Sequence, residues 1–243
     1  MAPKISIITV CYNSVHTLYK TMQSVFEQNY EQTEYIIIDG ASTDGTQELV
    51  KKFVHDTGFV ITFISEKDTG IYDAMNKGLK LATGDLICMI NSDDWLEAGA
   101  LNIIAKEYAG KDYCVFYGME RRLKNGMEES VGFHSHNFLT DGNIPHQTCY
   151  VPKKCYEEFG NYNISYKSAA DYEFMLRLYY SNKVEFRPIY RILANFTTGG
   201  TSAGAIGYLE EAEIKRKYNI VSKKKYYYLV TRARFLKLIG QLR

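Results

Sequence analysis

Three short apolar runs constrain this chain most, because each ends on a cluster of polar residues. Lys4–Cys11 (KISIITVC) leads into Tyr12-Asn13-Ser14, Tyr35–Ile38 leads into Asp39-Gly40-Ala41-Ser42, and Leu86–Ile90 leads into Asn91-Ser92-Asp93-Asp94. Runs of this length and composition read as buried strands. The stretches between them are helical in period. Apolar positions recur at Leu18, Met22, Val25 and Phe26, at Leu49, Val50, Phe53 and Val54, and at Ile71, Ala74, Met75, Leu79 and Ala82. Ser14 is the expected cap of the first helix. Strands alternating with helices, with polar residues gathered at strand ends, describe a nucleotide-binding parallel sheet. Such sheets take ligands at the carboxyl ends of their strands. Two adjacent carboxylates there, Asp93 and Asp94, suit a divalent metal bridging a diphosphate. The competing reading is that Ser92-Asp93-Asp94 caps the next helix.

Further along, Val60–Ile64 reads as a strand, Leu101–Tyr108 as a short helix and Tyr113–Tyr117 as a strand. Asn125-Gly126 is a hairpin turn signal between Met119–Leu123 and Met127–Phe133. Residues 134–150, with His134, His136 and His146, look like an irregular loop. Ala170–Tyr180 is helical, Val184–Phe196 extended, and Gly199–Gly204 a flexible loop.

A chain of 243 residues that is 46% hydrophobic can bury the core of one α/β domain. Its five cysteines show no Cys-x-x-Cys spacing, and buried thiols fit them better than metal ligands. No apolar segment is long enough for a bilayer, and no basic-then-apolar leader pattern opens the chain, so a cytoplasmic location is expected. The net charge of +1 hides an asymmetry. Residues 215–243 carry ten Lys or Arg and no acid, which leaves 19 basic against 28 acidic side chains in residues 1–214. An acidic body argues against a nucleic-acid partner.

The ordered motifs T-V-C-Y-N at 9–13, D-G-A-S-T-D-G-T at 39–46, G-I-Y-D-A-M-N-K-G at 70–78 and N-S-D-D at 91–94 go further. With P-H-Q at 145–147, A-D-Y-E-F-M-L-R at 170–177 and G-G-T-S at 199–202, they span residues 4–204. In this the chain resembles the glycosyltransferase family 2 enzymes of GT-A fold, above all those of bacterial surface polysaccharide, lipopolysaccharide and capsule biosynthesis. The resemblance implies an α/β fold with a Rossmann-like central sheet flanked by helices. Residues 1–95 would form a donor half and 96–204 an acceptor half, followed by a basic helical extension over 205–243. It also implies an inverting, metal-dependent hexosyl- or N-acetylhexosaminyltransferase. The donor would be a nucleotide-sugar (UDP favoured, dTDP or GDP open), the metal Mn2+ or Mg2+, and the acceptor a glycan or polyprenyl-linked glycan.

The same resemblance suggests roles. Asp39 would accept the imide N–H of the base, in a pocket lined by Thr9, Tyr12 and Asn13, with an Asx turn at Gly40 as the plain alternative. Asp68 and Asn76 would meet ribose or phosphate. Asp93 would hold the metal, and Asn91, standing where the family has the first acid of Asp-x-Asp, would bind a ribose hydroxyl beside Ser92. Asp94 would bind acceptor or sugar, or cap the next helix. Asp171 would be the general base, with Glu173 a weaker substitute, because Ala170 replaces the family's neighbouring Glu; the alternative is a plain helix cap. His146, Gln147 and Gly200 would touch the donor sugar or diphosphate.

Two rivals stand beside this reading. A sugar-phosphate nucleotidyltransferase needs a Gly-rich, basic loop after the first strand, which T-V-C-Y-N-S-V lacks. A non-catalytic sugar-binding module has no need of Asp39, Asp93 and Asp171 together. The segment Lys223–Arg243 mixes basic residues with Tyr226, Leu229, Ala233, Leu236 and Ile239 at near-helical spacing. It reads as a peripheral contact with an anionic membrane on the inner face of the plasma membrane. Packing on the catalytic domain, or on a second subunit in a homodimer, is the alternative.

Overall fold

The computed structural model describes residues 2–198 and 204–238. Strand β1 (Ile5–Cys11) is buried along its whole length. Its β-branched side chains suit a pleated surface covered on both faces. It pairs in parallel with β2 (Thr33–Asp39) and β4 (Leu86–Met89), and β2 pairs in parallel with β3 (Ile61–Ser65). The register sets Cys11 beside Asp39 and Asp39 beside Ser65. Parallel pairing therefore gathers four carboxyl ends on one rim.

Helices α1 (Leu18–Phe26), α2 (Thr46–Thr57) and α3 (Ile71–Leu81) make the crossovers. The first starts later than its expected cap. Thr17 is the N-cap residue, and Ser14 instead opens the preceding turn, its carbonyl accepting from Leu18 N. Close packing of α3 on the sheet requires a glycine, since a Cβ on Gly78 would lie 2.5 Å from Ile8 Cγ2.

Beyond β4 the sheet becomes mixed. Its order is β3-β2-β1-β4-β8-β6-β9-β5, where β8 is Tyr150–Pro152, β6 is Cys114–Lys124, β9 is Glu185–Thr197 and β5 is Trp95–Leu96. Strand β7 (Met127–Gly132) forms the expected hairpin with β6 across Asn125-Gly126. The 134–150 segment is more ordered than its composition suggests. It holds short 3-10 turns at His136–Phe138 and His146–Thr148, and Tyr150 begins β8, antiparallel to β4.

Two apolar cores flank the sheet. One packs α1, α2 and α4 (Ala100–Tyr108) on one face. The other packs α3, α5 (Lys153–Phe159), α6 (Ala170–Tyr180) and α7 (Ala205–Lys217) on the opposite face. Helix α7 buries Ala205, Ala212 and Ile214 and docks on α6. Its Glu210 accepts the backbone N–H groups of Lys167, Ser168 and Ala169 at 2.6, 2.8 and 3.0 Å. Helix α8 (Lys223–Leu238) lies against α7, and Ala233 is its buried residue. Tyr227, Tyr228, Phe235 and Leu238 remain exposed beside Lys223, Lys224 and Lys225. Ile239, the end of the expected apolar stripe, lies outside the described residues. Among those residues, no helix is long and apolar enough to cross a membrane.

Candidate active site

The site is built where the four parallel strands end. After β1 and β2 the chain makes two interlocked turns. Asn13 and Ala41 both take the left-handed conformation, at φ 49° and 63°. Asn13 N donates to Ser42 Oγ at 2.7 Å, and Thr43 N donates back to Asn13 Oδ1 at 3.0 Å. Left-handed non-glycine residues hold a modest strain, and such positions concentrate at functional sites. Asn13 therefore builds the turn that shapes the rim.

Beside this turn lie Gly40, Asp68 and Tyr12. A Cβ on Gly40 would stand 2.6 Å from Asp68 Oδ2 and 3.2 Å from the Tyr12 ring. Glycine at this position lets Asp68 and Tyr12 close over the end of β2. Tyr12 is 67% exposed, so its ring forms an open wall above the end of β2. Asp68 also accepts from Gly70 N at 3.0 Å, which ties it to the start of α3.

Asp39, the last residue of β2, is fully buried. Its carboxylate accepts from Ser42 N at 3.0 Å, from the Ser42 hydroxyl and from Ser65 Oγ at 2.6 Å, and Cys11 Sγ approaches at 3.7 Å. Burial and Asp39 together push the Cys11 thiol far up, so it stays protonated.

Thr9, Asn76 and Asp94 need correction, as Gln147 does below. Thr9 does not line the rim: it is fully buried and pairs with Tyr35 Oη at 3.1 Å inside the α1–α2 core. Alternation along β1 turns it to that face. Asn76 spends its amide on the Tyr162 backbone, donating to the carbonyl at 2.9 Å and accepting from the N–H at 3.0 Å. It joins α3 to the segment before α6 and presents nothing to a ribose. Asp94 is fully buried, and its Oδ1 accepts from Thr197 N at 3.0 Å. It fastens β9 beneath the rim and neither reaches the surface nor caps α4, whose N-cap is Gly99.

The end of β4 carries the oxygen donors. Ser92 Oγ meets Ser14 Oγ at 2.9 Å. Asp93 is partly exposed, and burial raises its carboxyl while its own backbone N–H and His146 partly offset that rise. Asn91 Oδ1 and Asp94 Oδ2 are buried and find no hydrogen-bond partner among the described residues. Among the described residues, no three His, Cys, Asp or Glu side chains converge. A metal here would therefore take one carboxylate and draw its remaining ligands from elsewhere. Hard divalent cations favour such all-oxygen, partly supplied sites.

Across the rim, Asp171 sits in the first turn of α6 with 13% of its side chain exposed. Tyr72 Oη donates to its Oδ1 at 2.7 Å, and Asn143 Nδ2 donates to its Oδ2 at 2.6 Å. His146 Nδ1 lies 3.6 Å from Oδ2, and His146 Nε2 meets Asn91 Nδ2 at 3.3 Å. One imidazole thus spans the gap between the end of β4 and the start of α6. Burial and Asp171 both push the Tyr72 phenol up, so it remains a donor. Asp171 makes no N-cap bond; the N-cap residue of α6 is Ala169. Glu173 is excluded as its substitute: Arg177, Tyr218 and Lys217 hold it at 2.8, 2.9 and 3.1 Å in the α6–α7 contact. Gln147 is buried and donates to Glu120 Oε2 at 2.7 Å, which turns it away from the rim. Gly200 lies outside the described residues.

Tyr72, Asn143 and the serines around Asp39 were not singled out from sequence. Tyr72 stands inside the G-I-Y-D-A-M-N-K-G motif, which was a usable signal. Asn143 lies in a loop whose course no periodicity reveals.

Comparison with known proteins agrees with this geometry. The profile of "Glycosyl transferase family 2" matches residues 6–173. A PGL/p-HBAD biosynthesis glycosyltransferase of Mycobacterium tuberculosis is 28% identical over 209 residues, covering 84% of this chain and 81% of its own. An uncharacterised glycosyltransferase of the same species is 33% identical over 185 residues, covering 72% and 69%. Among solved structures, Staphylococcus aureus TarS 1–349 in complex with UDP-GlcNAc superposes with a TM-score of 0.72 at 16% identity, covering 95% of this chain and 71% of TarS. The Pyrobaculum calidifontis mannosyltransferase PcManGT, in complex with GDP-Man and Mn2+, gives 0.72 at 16%, covering 97% and 70%. With its motifs in order on a GT-A sheet, the chain belongs to glycosyl transferase family 2 and is a glycosyltransferase.

Proposed function

We propose that the chain transfers a sugar from a nucleotide-sugar to a hydroxyl of a glycan or lipid-linked glycan, with inversion and with a divalent metal. The observation that carries this is the pairing of Asp93 and Asp171 on opposite sides of one rim, linked through Asn91 and His146. Asp171 takes the proton of the acceptor hydroxyl as the hydroxyl oxygen bonds to the anomeric carbon and the bond from that carbon to the diphosphate breaks. Tyr72 and Asn143 hold the carboxylate in place for that step. A single base and direct displacement give inversion. A bound Mn2+ or Mg2+, held by Asp93 with Asn91 Oδ1 alongside, would neutralise the departing diphosphate.

The nucleotide is assigned to the rim at Tyr12, Gly40 and Asp68, with Asp39 under the base. For an imide N–H to reach Asp39, the Ser65 or Ser42 hydroxyl must turn away. UDP is the favoured nucleotide; the structural relatives hold UDP-GlcNAc in one case and GDP-Man with Mn2+ in another, so uridine and guanosine donors are both to be tried. Surface polysaccharide or glycolipid synthesis is the setting that fits the mycobacterial relative's name. The exposed basic and aromatic face of α8 suits an anionic membrane carrying such an acceptor.

The test is donor hydrolysis and transfer with UDP-GlcNAc, UDP-glucose and GDP-mannose, with and without Mn2+. Asp93→Asn should lose the metal stimulation. Asp171→Asn should lose on the order of 10²–10⁴-fold in rate with donor affinity kept. Wild-type turnover in either variant would overturn its assignment.

A further inference from the structure

On the opposite face of the sheet from Asp171, α1 and the edge strand β5 enclose a groove of about 320 Å³. That reaches the lower range of ligand pockets. It lies outside the site described above: its walls are Lys20, Gln23 and Glu27 of α1, and its floor is Glu97, Arg121 and Asn195. Trp95, the chain's single tryptophan, forms one side and is partly exposed.

The floor is rigid. Arg121 Nη1 donates to Glu97 Oε2 at 2.6 Å and to Asn195 Oδ1 at 2.9 Å, and Asn195 Nδ2 donates to Glu97 Oε2 at 3.0 Å. The rim is different. Lys20 Nζ rests 3.1 Å from the centroid of the Trp95 ring and makes no ion pair among the described residues. A partly desolvated ammonium held only by a ring face is a displaceable cover. Gln23 and Glu27, bonded to each other at 2.7 Å, are both exposed and free to rearrange.

The charges decide the ligand class. Lys20 and Arg121 face Glu27 and Glu97, and Glu128 Oε2 adds a further carboxylate 3.0 Å from Arg121 Nε, so the groove has no cationic excess. Carboxylates on both floor and rim oppose a diphosphate or a nucleotide. An aromatic face surrounded by amides and carboxylates suits an uncharged polyol with one apolar side, which is the chemistry of a pyranose ring. We propose that the Trp95 groove is a carbohydrate subsite, in which a neutral pyranose of a glycan chain stacks on the indole in place of Lys20. This deepens the glycosyltransferase reading: the groove, opening two residues past Asp93, would retain acceptor or product chain beside the rim.

Because Trp95 is the single tryptophan, its fluorescence reports occupancy directly. The full chain is titrated with chitotetraose and with maltotetraose, with and without saturating UDP. A saturable emission change with one of them, undiminished by UDP and kept in Asp171→Asn, is the expected result. Lys20→Ala should tighten that binding by roughly two- to five-fold, the worth of an exposed cation–π contact no longer displaced. Trp95→Leu, read by calorimetry with folding checked by circular dichroism, should abolish it, and Trp95→Tyr should retain part. The proposal falls if neither sugar gives a saturable change, if UDP competes, or if binding survives Trp95→Leu. Donor hydrolysis is measured on the same protein, so failure of the groove and failure of the enzymatic reading are separate outcomes.

Discussion

Replacing Tyr72 by Phe isolates one bond at the centre of the mechanism. Tyr72 is 6% exposed, and its hydroxyl reaches Asp171 Oδ1 at 2.7 Å. Phenylalanine keeps the ring and its contact with Tyr162, whose centroid lies 5.7 Å away. The loss is one hydrogen bond to a charged group, a contact worth about 1.5–3 kcal/mol. Asn143 still holds the other oxygen at 2.6 Å, and the partial exposure of Asp171 admits water. The lower figure applies, so kcat should fall roughly tenfold. Donor KM should not change, because the Tyr72 hydroxyl is spent on Asp171. Stability should fall by about 1 kcal/mol, or about 2–4 °C in Tm for a chain of this size. Steady-state rates up to saturating donor, with Tm from calorimetry, measure all of this. An unchanged kcat would refute Tyr72 as a positioning residue. So would a raised donor KM at constant kcat.

Other consequences follow from named contacts. Burial raises the Glu34 carboxyl, but bonds from Lys4, Ser6 and Thr83 outweigh it and hold the group at about 2, against 4.5 in the unfolded chain. Its contribution is therefore complete above pH 4.5 and lost as pH falls towards 2. Glu34→Gln should cost about 1–2 kcal/mol at neutral pH, discounted because Lys4 is well exposed, and urea midpoints of the two proteins should converge on acidification. Glu210→Ala leaves the three N–H groups before α6 uncapped; a stability loss of about 1–3 kcal/mol is expected in urea unfolding, with a lower kcat as the Asp171 turn loosens. Asp39→Asn should weaken uridine-diphosphate binding in calorimetry without unfolding the protein, and unchanged affinity would remove Asp39 from the base site. Neutralising Lys223, Lys224 and Lys225 to Gln should lower co-sedimentation with anionic vesicles by roughly 100-fold, at about 1 kcal/mol each; sedimentation that ignores both charge and salt would leave α8 as a packing element.

Local physics made much of this protein legible before any coordinates. Continuous β-branched runs can lie only in strands buried on both faces, and the polar ends of those runs mark the rim of a parallel sheet. The order of the motifs carried the family and the acidic positions Asp39, Asp68, Asp93 and Asp171. Which side chains open onto the rim was decided by tertiary structure alone. Thr9 belongs to a rim motif, yet the pleat of β1 turns it into the core. Asp94 adjoins Asp93, yet Thr197 from a strand about a hundred residues away holds it below the surface. Asn76 shares a helix face with residues near the rim, yet the Tyr162 backbone claims its amide. The clamp on Asp171 joins Tyr72 of α3 with Asn143 and His146 of the 134–150 segment, a meeting that depends on the chain's return through β8 beside β4. Sequence spacing reports contacts within an element, where geometry is periodic; contacts between elements depend on register and packing, which no local pattern carries.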